Sequence, residues 1–194
     1  MKNILFIYDF DDTLFPSFNY TIEKYYTKHK WNMLDNKIYL ILYNSLLIGH
    51  VIILSDAMSN WINNILSNLN KTRDLINNYI KIYTTTDLMM KYKFKYPLFY
   101  KYEKIKYILN YYLFNNINCI INIGDGNNEY IATLLIHKNF NNINLTHIKM
   151  LKKPNFNQLI QELSILNNNI NKLLCCKNNK EFFFYLSNIR NNTI

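Results

Sequence analysis

Near its amino terminus, the chain passes from an apolar run directly into a group of acidic residues: Ile4-Leu5-Phe6-Ile7-Tyr8-Asp9-Phe10-Asp11-Asp12-Thr13. The apolar run does not alternate with polar residues, a pattern typical of a β-strand that is buried on both faces of a sheet. Parallel sheets that are covered by helices on both faces contain such strands. The stretch therefore predicts a buried first strand with Asp9 and Asp11 at its carboxyl end.

Short apolar runs bounded by polar residues recur along the chain, as expected of strands. The five predicted strands are Asn3–Tyr8, His50–Leu54, Tyr79–Thr84, Cys119–Ile123 and Leu145–Met150. Segments with helical spacing lie between and after them: Pro16–Met33, Asp35–Ile48, Ser59–Leu69, Tyr102–Phe114, Glu129–His137, Asn155 to about Leu174, and Glu181–Ile189. This alternation predicts an α/β fold, a doubly wound, three-layer, Rossmann-like domain with a central parallel sheet of about five strands.

The length and composition of the chain fit one domain that spans residues 1–194. A chain of 194 residues can bury a substantial core, and 49% of its residues are hydrophobic. It has no internal repeat and no Gly- or Ser-rich linker, and residues 190–194 are expected to fray. Only three Gly residues are present, so each is expected where the backbone needs it.

The net charge of the chain favours anionic partners. It is +9, from 22 Lys and Arg against 13 Asp and Glu. Such a surface attracts phosphorylated substrates or nucleic acid. The excess of Lys, Asn, Ile and Tyr also matches translation of an AT-rich genome, so the charge alone assigns no partner.

The three cysteines do not form a disulfide framework, because two of them, Cys175 and Cys176, are adjacent. We therefore expect a reducing, cytoplasmic setting, and the amino terminus lacks the pattern of a signal peptide. The segment Ile38–Leu54 approaches membrane-spanning length. A helix that ends at Gly49, followed by a strand, explains this segment without a membrane.

Polar residues follow four of the predicted strands, at the edge where doubly wound sheets bind their ligands. They are Asp9, Asp11 and Asp12; Ser55 and Asp56; Thr84, Thr85, Thr86 and Asp87; and Gly124, Asp125, Gly126 and Glu129. An acidic cluster in a basic protein indicates a bound cation. Since the ligands would be oxygen atoms with no His or Cys set, the sequence predicts Mg²⁺.

The order of these residues resembles the motifs of the haloacid dehalogenase-like (HAD-like) hydrolase superfamily. Its first motif, Asp-x-Asp-x-Thr after an apolar strand, is matched by Asp9–Thr13. Its second, an apolar strand that ends in Ser or Thr, is matched by Val51–Ser55, and its fourth, Gly-Asp with a further acid, by Gly124–Glu129. The stretches Asp9–Ser17 and Ser55–Trp61 are also similar to an uncharacterised branch of the superfamily from protists, plants and large DNA viruses.

The resemblance implies a Mg²⁺-dependent phosphatase that works through an aspartyl-phosphate intermediate. It implies that Asp9 is the nucleophile, that Asp11 is the general acid and then the base, and that Ser55 donates a hydrogen bond to the phosphoryl oxygens. Mg²⁺ would be bound by Asp9, by the backbone carbonyl of Asp11 and by Asp125. Glu129 could bind the metal directly or through water. Asp12 is interpreted as a helix cap or a solvent contact.

The third motif of the superfamily is a lysine that opens a helix, and two residues fit it. Lys101 is preferred, because Tyr100-Lys101 resembles the Trp-Lys of the branch, and Lys104 is the alternative. One departure concerns Asp56, which replaces the Asn expected after the phosphate-binding hydroxyl. A further carboxylate would repel a phosphate unless it points away. This favours a second hypothesis, a catalytically weak or inactive binding or regulatory protein with the same fold.

The site is predicted to be open, because the chain has no room for a full cap domain. Residues 14–34 are the candidate for a small helical cap segment, and the loop from Asp87 to Lys101 is too short for one. An open site suggests a large or exposed phosphorylated substrate. In that loop Lys91, Lys93 and Lys95 alternate with aromatic residues, which favours a solvated edge strand over a nucleic-acid site.

Overall fold

The described residues of the chain, in a computed structural model, are 3–23, 25–92, 97–112, 116–140, 142–175 and 182–185. They form an α/β fold. The strands, in chain order, are β1 (Ile4–Tyr8), β2 (His50–Ser55), β3 (Lys81–Thr84), β4 (Cys119–Gly124), β5 (Asn144–Lys149) and β6 (Phe182–Tyr185). The helices are α1 (Ser17–Glu23), α2 (Lys28–Ile48), α3 (Ser59–Leu66), α4 (Asn70–Tyr79), α5 (Thr86–Lys91), α6 (Pro97–Tyr112), α7 (Asn127–Asn139) and α8 (Phe156–Asn169).

The strands form one parallel sheet in the order β3-β2-β1-β4-β5-β6. Strand β1 lies in the middle, where Ile7 is opposite Ile52 of β2 on one side and Asn122 of β4 on the other. The chain winds outward in one direction from β1 to β3 and then in the other direction from β4. The carboxyl ends of β1 and β4 therefore flank the topological switch point, where this kind of sheet has its ligand crevice.

The side chains of β1 alternate between two apolar layers, which explains its uninterrupted apolar sequence. Phe6 and Tyr8 pack against helices α2, α3, α4 and α8 on one face. Leu5 and Ile7 pack against α6 and α7 on the other face. The prediction of a three-layer Rossmann-like α/β fold is thus confirmed.

Two helices that the sequence did not predict, α4 and α5, flank β3. Tyr79, predicted as the start of a strand, is the last residue of α4. The amino end of α4 is capped from a distance, since the Asp35 carboxylate on α2 accepts hydrogen bonds from the backbone N–H groups of Lys71 (3.0 Å) and Thr72 (2.8 Å). Lys91 ends α5, so the edge-strand interpretation is wrong for this residue. Lys93 and Lys95 lie outside the described residues.

Helix α2 ends before Gly49, as predicted, but begins at Lys28 rather than Asp35. Its start is set by Thr27, whose hydroxyl accepts a hydrogen bond from the N–H of Lys30. This helix contains most of the segment that approached membrane-spanning length. Among the described residues, no helix is long and apolar enough to cross a membrane.

The carboxyl-terminal part differs from the prediction in two places. Helix α8 ends at Asn169 and continues as a 3-10 helix over Ile170–Cys175, instead of one helix to about Leu174. The helix predicted over Glu181–Ile189 is wrong for residues 182–185, which form β6 next to β5. Aromatic residues favour strands, and the edge of β5 offers backbone groups for pairing. The predicted frayed tail, 190–194, lies outside the described residues.

Candidate active site

A tight turn after β1 sets the positions of the first acidic residues. The backbone ladder continues one residue past the strand, because the N–H of Asp9 donates to the Ile123 carbonyl at 2.9 Å. The chain then folds back, and the N–H groups of Leu14 and Phe15 both donate to the carbonyl of Phe10 at 2.9 Å. The turn places Asp9 and Asp11 at the carboxyl end of β1, beside the switch point.

The carboxylate of Asp12 is directed to α1, although its charge adds to the raised pKa of Asp125. The φ of Asp12 is 53°, in the left-handed region that Asp tolerates better than most residues. Its carboxylate accepts a hydrogen bond from the N–H of Phe18 at 2.9 Å, in the first turn of α1. The interpretation of Asp12 as a helix cap is confirmed.

Lys101, from the first half of α6, reaches the end of β1. Its Nζ lies 2.7 Å from Oδ1 of Asp9, is hydrogen-bonded to Oε1 of Glu129, and lies 3.7 Å from Oδ2 of Asp56. The lysine is only 2% exposed. One buried cation therefore faces three carboxylates. Lys104, the alternative from the sequence, instead pairs with Asp87 at 2.8 Å.

Glu129 folds back over the Gly124-Asp125-Gly126 turn, and the two glycines make room for it. A Cβ atom on Gly124 would overlap Cγ of Glu129, and a Cβ atom on Gly126 would overlap Oε2. Oε1 is bonded to Lys101, while the buried Oε2 has no hydrogen-bond partner among the described residues. The turn itself is tied to the first loop, because the N–H of Asp125 donates to Oγ1 of Thr13 at 3.1 Å.

Burial and mutual repulsion perturb the acids of the site. The pKa of Asp9 is raised, because burial disfavours its ionised form and the charges of Glu129 and Asp125 add to this effect, against the opposing charge of Lys101. Burial, together with the charge of Glu129, raises the pKa of Asp125 to about 6. Burial would also raise the pKa of Glu129, but its contact with Lys101 outweighs this and lowers it. The acids carry more negative charge than Lys101 balances.

Asp11 is held by donors from three elements. Its Oδ1 accepts hydrogen bonds from Nε1 of Trp61 at 2.9 Å and from the hydroxyl of Ser17. The hydroxyl of Ser55 lies 3.4 Å from Oδ2. Ser55 is fully buried at the end of β2, and its Oγ also accepts from the N–H of Ala57 at 3.0 Å. The structure thus brings the predicted proton-transfer and phosphate-binding groups together.

Asp56, the departure noted in the sequence, faces the site. Its Oδ1 accepts a hydrogen bond from the hydroxyl of Thr85 at 2.6 Å, and its Oδ2 accepts one from Asn128 at 3.4 Å. With Lys101 at 3.7 Å from the same oxygen, Asp56 adds a negative charge on the side of Lys101. The carboxylate therefore does not point away from the site.

The donor set suits a hard cation, although the geometry is not that of a metal cage made of side chains. Within the described ranges, no group of three or more His, Cys, Asp or Glu side chains is arranged to hold a metal ion. The set implied by the sequence needs only the carboxylates of Asp9 and Asp125 and the carbonyl of Asp11. Oε2 of Glu129 is buried without a hydrogen-bond partner among the described residues, and the pKa values of Asp9 and Asp125 are raised. A cation bound beside these acids would compensate for both effects. Oxygen donors of this kind fit Mg²⁺.

Several contacts of the site were not assigned from the sequence. The ammonium of Lys149 donates to the backbone carbonyls of Asp125 and Gly126, the latter at 2.9 Å, and so holds the turn that carries Asp125. Ser17 and Trp61 contact Asp11. Both lay in the stretches that resemble the branch, so their presence there was the available signal. Lys149 lies at the end of a predicted strand and opens the stretch Lys149–Leu163, which resembles the closing strand, Pro and helix of the branch, and this was its available signal.

Comparison with protein families, with curated proteins and with solved structures finds no match for this chain.

Proposed function

We propose that the protein is a Mg²⁺-dependent phosphomonoester hydrolase of the HAD-like type, which works through an aspartyl-phosphate intermediate. The observation that supports this most directly is the contact of 2.7 Å between Nζ of Lys101 and Oδ1 of Asp9, in a buried site at the switch point of the sheet. A buried ammonium keeps a carboxylate available as a nucleophile and offsets the charge of an incoming phosphate.

The proposed chemistry has two steps, each with a balanced proton transfer. A carboxylate oxygen of Asp9 attacks the phosphorus atom, the bond to the leaving oxygen breaks, and protonated Asp11 donates its proton to that oxygen, which releases an alcohol. Ionised Asp11 then takes a proton from water, whose oxygen attacks the phosphorus. The Asp9–phosphate bond breaks, which regenerates the carboxylate and releases inorganic phosphate. Ser55 donates to the phosphoryl oxygens in both steps.

The proposal includes Mg²⁺ at the acidic cluster. Asp9, Asp125 and the carbonyl of Asp11 would hold it, with Glu129 bound directly or through water. When bound, the ion supplies positive charge that lowers the repulsion between carboxylates and phosphate. Lys149 would keep the Asp125 turn in place, through the backbone carbonyls that it binds.

A second candidate function is a catalytically weak or inactive binding or regulatory protein, and the position of Asp56 favours it. Its carboxylate shares Lys101 with Asp9, so part of the positive charge that a phosphate would meet is already offset. The intact pair of Asp9 and Asp11 favours the hydrolase, because a binding protein has no need of both a nucleophile and a proton-transfer group.

The test is hydrolysis of p-nitrophenyl phosphate by the full chain, with Mg²⁺ and with EDTA. We expect Mg²⁺-dependent turnover (kcat) that Asp9→Asn reduces at least about a thousandfold, because the nucleophile is lost. Asp11→Asn should reduce kcat by about 10²- to 10⁴-fold, because the water of the second step loses its general base. Asp12→Asn is the matched control, because Asp12 lies in the same loop but bonds to the N–H of Phe18. It should retain activity within about threefold.

Turnover that survives Asp9→Asn would exclude the covalent mechanism. The absence of turnover by the wild type, together with Mg²⁺ stabilisation that depends on Asp9, would favour the second candidate. A phosphate mimic such as beryllofluoride separates the two further. Only the hydrolase should form a stable adduct on Asp9, visible as a rise in the melting temperature that Asp9→Asn abolishes.

A further inference from the structure

We propose that Trp61 and Ser17 are positioning residues for Asp11, which leave its Oδ2 as the oxygen that carries the transferred proton. This inference rests on the proposed function and assigns a role to two residues outside the motifs. Oδ1 of Asp11 accepts two hydrogen bonds, from Nε1 of Trp61 at 2.9 Å and from the hydroxyl of Ser17. Oδ2 lies on the side of Ser55, with 3.4 Å between Oδ2 and the Ser55 hydroxyl.

The difference between the two oxygens follows from their partners. The indole N–H of Trp61 can only donate, so it needs a lone pair on Oδ1, whereas the Ser55 hydroxyl, which donates to Oδ2, can also accept a proton from it. A proton on Oδ2 leaves both bonds to Oδ1 intact. Oδ2 is also the oxygen nearer to Ser55, which is the hydroxyl proposed to bind the phosphoryl group. The contacts therefore place the proton on the side of the substrate.

Trp61 itself is fixed by an aromatic cluster that joins the first loop to α1, α2 and α3. Its ring lies 6.3 Å from the rings of both Phe15 and Tyr20, measured between centroids. Phe15 in turn stacks on Trp31 at 5.8 Å. Ser17 opens α1, whereas Trp61 belongs to α3, so Oδ1 of Asp11 is held from two separate elements. Such support keeps a proton donor within the narrow geometry that transfer requires.

The consequence for catalysis depends on the leaving group. In the first step, the proton on Oδ2 passes to the leaving oxygen as its bond to phosphorus breaks, while Asp9 forms the new bond. An alkyl phosphate needs that proton, because an alkoxide is a poor leaving group. A nitrophenolate leaves with little help. A loss of Asp11 positioning should therefore reduce kcat/KM for an alkyl phosphate far more than for p-nitrophenyl phosphate.

The experiment compares kcat/KM for the two substrates in Trp61→Phe, Ser17→Ala and wild type. We expect a loss of about 10- to 100-fold for the alkyl phosphate, as for removal of a hydrogen bond to a charged group, and a loss below about threefold for the aryl phosphate. Trp31→Phe is the matched control, since it removes an indole from the same cluster and should affect both substrates equally. Equal losses for both substrates in Trp61→Phe and in Ser17→Ala would overturn the proposal.

A second readout does not need activity. The chain has two tryptophans, so a ¹⁵N-labelled sample gives two indole N–H signals, and Trp31→Phe assigns them. In Asp11→Ala, the signal of Trp61 should move upfield while that of Trp31 stays in place. An unchanged Trp61 signal would overturn the positioning role, whatever the protein catalyses. If the Trp61 signal depends on Asp11 but the wild type hydrolyses no phosphomonoester, the proposed function is overturned, and the proton-transfer role of Asp11 is overturned with it.

Discussion

The substitution Lys101→Met removes the cation that faces Asp9, Glu129 and Asp56, while it keeps a side chain of similar length. Lys101 is 2% exposed, so water cannot replace its charge. Breaking a buried pair by removing one partner costs about 3–5 kcal/mol, because the remaining charges stay buried without compensation. We expect that loss in the free energy of unfolding of the metal-free protein at pH 7.5. For a chain of this size it corresponds to a fall in Tm of roughly 6–20 °C.

Urea unfolding followed by circular dichroism measures the loss, and Lys104→Met is its matched control. Lys104 lies on the same helix, and its partner Asp87 has a side chain that is 62% exposed. An exposed pair of this kind contributes less than about 1 kcal/mol. At pH 5 the difference between the two variants should shrink, because the carboxylates left without Lys101 can take up protons and lose their charge.

The reasoning is refuted if Lys101→Met unfolds within about 1 kcal/mol of Lys104→Met at pH 7.5. That result would mean that the carboxylates at the end of β1 do not depend on Lys101 for their charge balance. A large loss at pH 7.5 that persists undiminished at pH 5 would show lost packing rather than lost charge.

Three further predictions concern individual buried groups. Asp125→Asn should stabilise the metal-free protein by roughly 1–2 kcal/mol at pH 7.5. Folding raises the pKa of this carboxyl from 3.8 to about 6, so its ionisation costs about 3 kcal/mol before its partial exposure is allowed for. The gain in the variant should appear as pH rises from 4 to 6, and Mg²⁺ should raise the melting temperature of the wild type but not that of the variant. Burial lowers the pKa of His147 to about 4, so the imidazole should titrate near that value by NMR. The free energy of unfolding should fall as pH falls from 6.5 to 4, because the unfolded chain takes up a proton that the folded protein does not. A titration near pH 6.5 would contradict the burial of His147. Ser45 donates to the Ile41 carbonyl, and its loss leaves the Tyr8 hydroxyl buried without an acceptor. Ser45→Ala should therefore lower the free energy of unfolding in urea by about 1–3 kcal/mol, and Tyr8→Phe should lower it by about 1 kcal/mol. Equal losses in the two variants would contradict this.

The strands and the residues at their ends were predictable, because both depend on local sequence. Five of the six strands lie where apolar runs end in polar residues, and parallel strands bring those ends to one edge. Asp9, Ser55 and Asp125 therefore lie at the same edge, as the sequence predicted. β6 was missed, because Phe182–Tyr185 has no local sign that distinguishes a strand added to β5 from a short helix.

The choice between Lys101 and Lys104 was not decidable from spacing. Residues three apart on a helix project to nearly the same side, since each residue turns by about 100°. Lys101 and Lys104 differ in their position along the axis of α6, which brings Lys101 to Asp9 and Lys104 to Asp87. The position of each lysine relative to the sheet depends on where the helix packs on the sheet, which local sequence does not encode.

Contacts over long sequence separations account for the other misses. Helix α4 has no local side-chain cap, and its first N–H groups are satisfied by Asp35, which lies on another helix. The residue at the N-cap position is Leu69, whose side chain cannot accept a hydrogen bond, so the usual signal for a helix start is absent at that position. The bond between Trp61 and Asp11 spans fifty positions of the chain, and only the folded arrangement of α3 beside β1 reveals it.

The close fit between Gly126 and Glu129 has a consequence for how this sequence can diverge. Because Oε1 of Glu129 is bonded to Lys101, its other oxygen cannot swing away freely from a Cβ atom at position 126. Aspartate at position 129 would withdraw that oxygen and open the space. Gly126→Ala alone should therefore be unfavourable, whereas Gly126→Ala combined with Glu129→Asp should be tolerated. Positions 126 and 129 are expected to covary, a long acid with glycine and a short acid with a larger residue.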